Sequence, residues 1–169
     1  LVEAALPHLR KSDAGRILFI ASSAGLYGVR GRAPYAASKA ALIAYAKTLA
    51  HELARTDIRV NVLAPYAATA MTSTQDTAID PALLPDNAAA AATWLTRPNC
   101  DRNGEVWMSG ANYFARAGVV EGEGGGDLHA DPDWFGAHVE TLSVIEGGAE
   151  CFGAEQAFAQ FFKKAKNLT

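Results

Sequence analysis

The 169-residue sequence predicts an α/β protein built on a doubly wound, Rossmann-like parallel sheet. Residues 17–21 (ILFIA) form a short apolar run without alternation, which is typical of a strand buried on both faces of a parallel sheet. A long, Ala-rich helix is expected over residues 34–55, with an apolar face at Leu42, Ala46, Leu49 and Leu53. Residues 58–63 (IRVNVL) predict a second strand, and the order strand, helix, strand is that of a parallel crossover unit.

The rest of the chain extends this unit and then changes in composition. Further helices are predicted over residues 1–11, 87–95, 134–145 and 154–164, with a last short strand over 105–108. The glycine-rich tract 121–126 (EGEGGG) predicts a flexible link. We therefore predict two domains: residues 1–110 as the carboxy-terminal part of a Rossmann-like domain, and residues 111–169 as a glycine-containing linker and helical carboxy-terminal extension.

The composition argues for a small-molecule partner. A net charge of -3 and a pI of about 5.8 give no basic surface of the kind that nucleic acid or an anionic membrane would require. No apolar run approaches the roughly 20 residues that span a bilayer. Cys100 and Cys151 are far apart and no histidine cluster accompanies them, so we expect neither a disulfide framework nor a metal site. These features favour a cytoplasmic protein.

Two residues at the start of the long helix have the spacing of an acid/base pair. Tyr35 and Lys39 are four residues apart, so their side chains share one helix face. A neighbouring ammonium group stabilises the phenolate form of a tyrosine and makes its hydroxyl a better general acid/base near neutral pH. The spacing alone also occurs by chance on ordinary helix surfaces, so its surroundings decide the interpretation.

A serine precedes this pair in the loop that follows the first predicted strand. Ser22 lies at the carboxyl end of that strand, which is where ligands bind in open α/β sheets. A hydroxyl group at this place can hold a substrate carbonyl through a hydrogen bond that strengthens as charge develops on the oxygen. The adjacent Ser23 is the weaker candidate, and loop capping by either serine remains an alternative.

The pattern formed by Ser22, Gly25, Tyr35, Ser38 and Lys39 resembles the short-chain dehydrogenase/reductase superfamily. In that family Ser-x-x-Gly follows a strand, and Tyr-x-x-[Ser/Thr]-Lys comes about thirteen residues after the serine. The resemblance implies that Tyr35 is the proton donor/acceptor, that Lys39 assists it and binds the nicotinamide ribose, and that Ser22 orients the substrate carbonyl. It also implies that Pro65 and Thr69 lie against the nicotinamide. Tyr66 stands where the family commonly has glycine.

A narrower resemblance concerns the substrate. The stretches SSAGLYGVRGRAPYAASK, APYAATAMT and WLTRPNCDRNGEVW are similar to the (3R)-hydroxyacyl-CoA dehydrogenase modules of type 2 multifunctional enzymes and their bacterial relatives. The implied activity is an NAD(P)-dependent interconversion of a secondary alcohol and a ketone, with a 3-hydroxyacyl-CoA among the expected substrates. The resemblance favours NAD slightly over NADP. Family members typically pair through the helix that carries Tyr35, so a homo-oligomer is expected.

The same resemblance leaves part of the dinucleotide site unassigned. A Rossmann-like fold binds the pyrophosphate at a glycine-rich turn after its first strand, and no such turn is predicted here. We therefore expect the sequence to be the carboxy-terminal half of a short-chain dehydrogenase domain, with the amino-terminal half missing. The alternative is a truncated, non-catalytic chain that only associates with partner subunits.

Overall fold

The computed structural model describes residues 1–68 and 80–168 and divides into two compact units, Leu1–Ala117 and Gly118–Thr169. The helices of the first unit are α1 (Val2–Leu9), α2 (Ala24–Tyr27), α3 (Ala33–Glu52) and α4 (Asp86–Leu95). Its strands are β1 (Arg16–Ile20), β2 (Arg59–Pro65), β3 (Val106–Gly110) and β4 (Tyr113–Ala117). A single 3-10 turn, Pro81–Leu83, precedes α4.

The four strands form one sheet in the order β1-β2-β3-β4. The pairs β1–β2 and β2–β3 are parallel, and β4 returns antiparallel to β3. Near the carboxyl ends of the parallel strands, Ile20 pairs with Leu63, and Pro65 pairs with Ser109. The predicted parallel α/β sheet is confirmed, and the carboxyl ends of its first two strands lie side by side.

Burial differs between the first two strands. In β2 the residues from Val60 to Ala64 are all buried, as expected for a strand covered on both faces. In β1 the first four residues are only half-buried and Ile20 is 48% exposed. β1 is therefore covered less completely than its apolar run predicts, because it is the edge strand of this sheet.

Helices pack on both faces of the sheet. On one face, α3 buries Ile43, Ala46, Leu49 and Ala50 against Val60, Val62 and Val106. On the other face, Leu95 of α4 packs with Leu63 and Cys100. The predicted apolar stripe of α3 is correct at Ala46, Leu49 and Leu53, whereas Leu42 is only half-buried and its neighbour Ile43 lies in the core.

Two asparagine side chains fasten the segment before β3 to β2. Asn61 is buried; its Nδ2 donates to the carbonyl of Arg102 at 2.7 Å and its Oδ1 accepts from Glu105 N at 3.2 Å. Asn103 Oδ1 accepts from Val60 N at 2.9 Å, and its Nδ2 donates to Ala50 O at 3.1 Å. Since buried backbone groups need partners, these amides fix the loop to both α3 and β2.

A tight turn adds β4, a strand that the sequence analysis did not predict. The two turn residues, Ala111 and Asn112, both have positive φ, +51° and +56°. Positive φ at both central positions is the geometry that joins two antiparallel strands in a two-residue hairpin. The compact unit consequently ends after Ala117, whereas the sequence predicts a domain boundary after residue 110.

The second unit contains two short strands and two helices. Strands β5 (Val120–Glu121) and β6 (Ala149–Glu150) pair antiparallel, and the helices are α5 (Pro132–Leu142) and α6 (Ala154–Ala165). Asp131 caps α5, with its carboxylate accepting from Trp134 N at 2.7 Å. Across residues 1–68 and 80–168, no helix has the length and apolar character needed to cross a membrane.

Candidate active site

The first turn of α3 brings Tyr35 and Lys39 together. Proline occupies the start of this helix, where its missing N–H costs nothing and its fixed φ is already helical. One turn later, Lys39 Nζ lies 5.8 Å from the centroid of the Tyr35 ring. Tyr35 remains 37% exposed. The phenol is thus accessible to a substrate and carries a cation beside it.

Lys39 also connects this helix to the end of β1. Its Nζ donates to the carbonyl of Ile20, the last residue of that strand, at 3.1 Å. Ser22 follows two residues later and is half-buried, and its Oγ accepts from Ala24 N at 3.2 Å. The strand end therefore places a serine hydroxyl next to the segment that holds the lysine. The sequence predicts that this serine acts with Tyr35 and Lys39.

The short helix α2 is held against α3 by a glycine. A Cβ at Gly25 would lie 2.6 Å from the backbone carbon of Lys39 and 2.7 Å from Ala40 N, which is closer than real Cβ contacts. The absence of a side chain at Gly25 therefore allows the segment after Ser22 to rest directly on the backbone of Lys39. The sequence predicts a loop over residues 22–33, and helix α2 lies within it.

Substituting Gly25 should disturb the site without removing any of its chemical groups. We expect Gly25→Ala in the full-length protein to lower kcat on the order of a hundredfold, because α2 must shift away from Lys39 and a displacement of about 1 Å is enough for such a loss. Gly136→Ala is the matched control, since a Cβ there meets nothing within 4 Å. Steady-state kinetics with circular dichroism of both variants makes the measurement. An unchanged kcat for Gly25→Ala would show that the contact does not position the site.

Pro65 and Ser22 both lie at carboxyl ends of parallel strands, of β2 and β1 respectively. Thr69 lies outside the described residues. Pro65 is the last residue of β2, is half-buried and pairs with Ser109. The next residue, Tyr66, is 48% exposed, and its N–H donates to Ser109 O at 2.7 Å. A Cβ at Gly110 would lie 2.5 Å from Tyr66 O, so only glycine fits at position 110 beside the backbone of Tyr66.

The donor set suits the nicotinamide and ribose end of a dinucleotide. Lys39 has further ammonium hydrogens besides the one directed at Ile20, and such donors match ribose hydroxyl groups. Pro65 supplies a half-buried apolar surface at the neighbouring strand end. A planar nicotinamide ring fits an apolar surface of this kind, while Tyr35 stays open to the substrate. The described residues thus fit this end of the cofactor.

The fold and this grouping define a class of protein. A parallel sheet with helices on both faces carries a serine after the carboxyl end of β1, and a tyrosine and a lysine in the first turns of α3. The family model described as "short chain dehydrogenase" matches residues 1–80. The chain belongs to the short-chain dehydrogenase/reductase superfamily.

Within this superfamily the chain is similar to type 2 peroxisomal multifunctional enzymes. It is 34% identical to that of Mus musculus over 119 residues, which cover 69% of this chain and 16% of the mouse protein. The solved full-length enzyme of Drosophila melanogaster has a TM-score of 0.83 at 25% identity, over 97% of this chain and 31% of that one. The chain therefore spans less than a third of the length of either relative.

A solved bacterial member has a bound cofactor. The 3-ketoacyl-(acyl-carrier-protein) reductase of Brucella melitensis, complexed with NADH, has a TM-score of 0.55 at 27% identity. The match covers 63% of this chain and 49% of that one. A relative with this fold thus binds a nicotinamide dinucleotide.

Proposed function

We propose that the protein is an NAD(P)-dependent oxidoreductase that interconverts a secondary alcohol and a ketone. The observation that carries the proposal is the position of Lys39, whose Nζ lies between the Tyr35 ring and the end of β1. Ser22 follows that strand end, and the Tyr35 ring beside Lys39 is 37% exposed. Membership in a superfamily of dehydrogenases and reductases supports the same reaction class.

Tyr35, Ser22 and Lys39 have different tasks in the reaction. A nicotinamide held by Lys39 and Pro65 would supply the hydride chemistry at the carbinol carbon in both directions. Tyr35 takes the hydroxyl proton as the C=O bond forms, and gives it back in the reverse direction. Ser22 donates a hydrogen bond to the substrate oxygen, and Lys39 holds the ribose and stabilises the phenolate.

We further propose a 3-hydroxyacyl-CoA as substrate and NAD as the preferred cofactor. The similarity to multifunctional enzymes and to a 3-ketoacyl reductase that binds NADH supports both choices. The test is the appearance of NADH absorbance when the full-length protein receives a 3-hydroxyacyl-CoA and NAD, compared with NADP and with a simple secondary alcohol. Turnover of the simple alcohol alone would retain the reaction class and reject the thioester, and no turnover of either would reject the enzyme.

Self-association through α3 is a second proposal. The helix buries Ile43, Ala46, Leu49 and Ala50 on the sheet, and it exposes a stripe of small residues at Ala37, Ala41, Ala44 and Thr48. Small side chains allow the backbone of another helix to approach closely. We expect light scattering to detect a dimer or larger oligomer of the full-length protein at micromolar concentration. A strict monomer would contradict the proposal.

The same exposed stripe favours one alternative function, a non-catalytic chain that only associates with partner subunits. Turnover distinguishes the two functions, because only the enzyme has turnover and it loses that turnover when Tyr35 is changed. We place the protein in the cytoplasm on its acidic pI and its two unpaired cysteines, although the mouse relative is named as peroxisomal.

A further inference from the structure

A separate cavity lies on the α4 face of the sheet in the first unit. Its volume is about 330 Å³. Three aromatic side chains line it: Trp94 of α4, Trp107 of β3 and Phe114 of β4. Ala90 and Ala91 leave room for it by being small, and among the described residues Arg102 is the one charged residue in its lining. The lining is therefore mainly aromatic and aliphatic.

The register of the sheet explains why this cavity exists. Trp107 pairs with Arg116 and Ser109 with Phe114, so Phe114 lies on the same sheet face as Trp107. Ser109 Oγ donates to Ala88 O, which shows that this face is the one under α4. Helix α4 packs mainly over β3, β2 and β1. Phe114 of β4 therefore lies beyond the part of the sheet that α4 covers. Trp94 and Phe114 remain 41% and 42% exposed.

The polar groups of the lining already have partners. Arg102 Nε lies 3.1 Å from Asp101 Oδ1, and Arg102 Nη1 lies 3.7 Å from Glu105 Oε1. Trp107 Nε1 donates to Glu105 Oε2 at 2.9 Å. The carboxylates of Asp101 and Glu105 offset the charge of Arg102, so an anion would gain little from it, and a ligand that accepts from the indole would have to displace Glu105. The pairing leaves apolar contact as the main attraction.

The cavity is distinct from the candidate active site. Tyr35 and Lys39 belong to α3, which covers the opposite face of the sheet. Ser22 follows β1, the strand at the other end of the order β1-β2-β3-β4. A molecule in the cavity would therefore touch none of the groups proposed for hydride and proton transfer.

We propose that this cavity binds an uncharged aromatic small molecule. Its volume is at the lower end of the range of ligand sites, about 300–1,000 Å³. Aromatic rings gain additional stabilisation from edge and offset contacts with other rings, and three rings surround this space. Because the carboxylates of Asp101 and Glu105 offset the charge of Arg102, an acidic ligand would gain little attraction here, and the proposed ligand is uncharged.

The tryptophans of the cavity provide the signal for its test. The sequence has three tryptophans, and Trp94 and Trp107 line the cavity while Trp134 lies in the second unit. Trp134→Phe in the full chain therefore leaves an emission that comes only from the cavity. The probe is N-phenyl-1-naphthylamine, which is uncharged and accepts energy from tryptophan. Naphthalenemethanol and naphthoate serve as uncharged and anionic competitors of similar size.

Two substitutions on α4 form a matched pair. Ala90 and Ala89 are adjacent, both are exposed, and only Ala90 lines the cavity. We expect saturable quenching by the probe, a loss of affinity of about tenfold or more in Ala90→Phe because the new ring fills the space, and no change in Ala89→Phe. Naphthalenemethanol should displace the probe and naphthoate should not.

Four results would overturn the proposal. These are quenching that does not saturate, equal affinity in Ala90→Phe and Ala89→Phe, equal competition by naphthoate, and probe binding that appears only when an oligomer dissociates. The last result would assign the cavity to a second copy of the chain. None of these measurements depends on enzyme turnover, so their outcome is independent of the proposed dehydrogenase activity.

Discussion

Tyr35→Phe removes nearly all turnover of the full-length protein and leaves its cofactor affinity close to unchanged. The substitution keeps the ring beside Lys39 and deletes only the hydroxyl that we propose exchanges a proton with the substrate. General acid/base groups of this kind contribute about 10²–10⁴-fold to the rate, so kcat should decrease by a factor in that range. Steady-state kinetics gives kcat, and fluorescence titration with NADH gives the affinity.

Tyr45→Phe is the control on the same helix. Tyr45 is 40% exposed, and its hydroxyl donates to Glu3 Oε1 at 3.3 Å, away from the strand ends. Desolvation and the nearby Glu3 carboxylate raise the pKa of Tyr45, so it stays protonated at neutral pH. Its loss should not change kcat. If Tyr35→Phe kept more than about a tenth of the wild-type kcat, Tyr35 would not be the proton donor/acceptor.

Lys39→Ala damages turnover and cofactor binding together. The ammonium group lies by the Tyr35 ring and donates to Ile20 O, so its removal takes away a charge, a ribose donor and a link to β1. Hydrogen bonds from charged groups contribute about 1.5–3 kcal/mol, which corresponds to a roughly 10- to 100-fold weaker binding of NADH. Titration and kinetics on the same sample separate the two effects.

Lys47→Ala controls for the loss of a lysine two turns further along α3, and it should leave both quantities unchanged. A Lys39→Ala variant with wild-type NADH affinity would refute the ribose contact while leaving the effect on Tyr35 intact. A variant with weaker binding and unchanged kcat at saturating NADH would refute the effect on Tyr35. The two roles of Lys39 are therefore tested independently.

The parts of the site that depend on local spacing were predictable from the sequence. Tyr35 and Lys39 meet because residues four apart share a helix face, and that geometry needs no knowledge of the tertiary fold. The helix itself was predictable from its alanines and apolar spacing, although its ends differ by one to three residues from the predicted range 34–55. Ser22 was placed correctly after β1 because the apolar run before it ends sharply.

The missed elements depend on contacts that a sequence pattern does not encode. Helix α2 is only four residues long, and it rests on α3 through the close approach at Gly25. Strand β4 follows a turn made by Ala111 and Asn112, without the Asn-Gly or Asp-Gly pair that usually indicates a hairpin. The partial exposure of β1 depends on its place at the edge of the sheet.

The hydrogen bonds of Asn103 in the segment before β3 affect how readily this residue deamidates. Asn103 is followed by Gly104, and in a flexible peptide this pair loses ammonia when the glycine nitrogen attacks the side-chain amide. Here Gly104 N donates to Val60 O at 2.7 Å, and both ends of the Asn103 amide are engaged. The attack must await a local opening of this loop. Once it occurs, the aspartate that forms faces the carbonyl of Ala50 with an acceptor where a donor had been, so deamidation would weaken the attachment of this loop to α3.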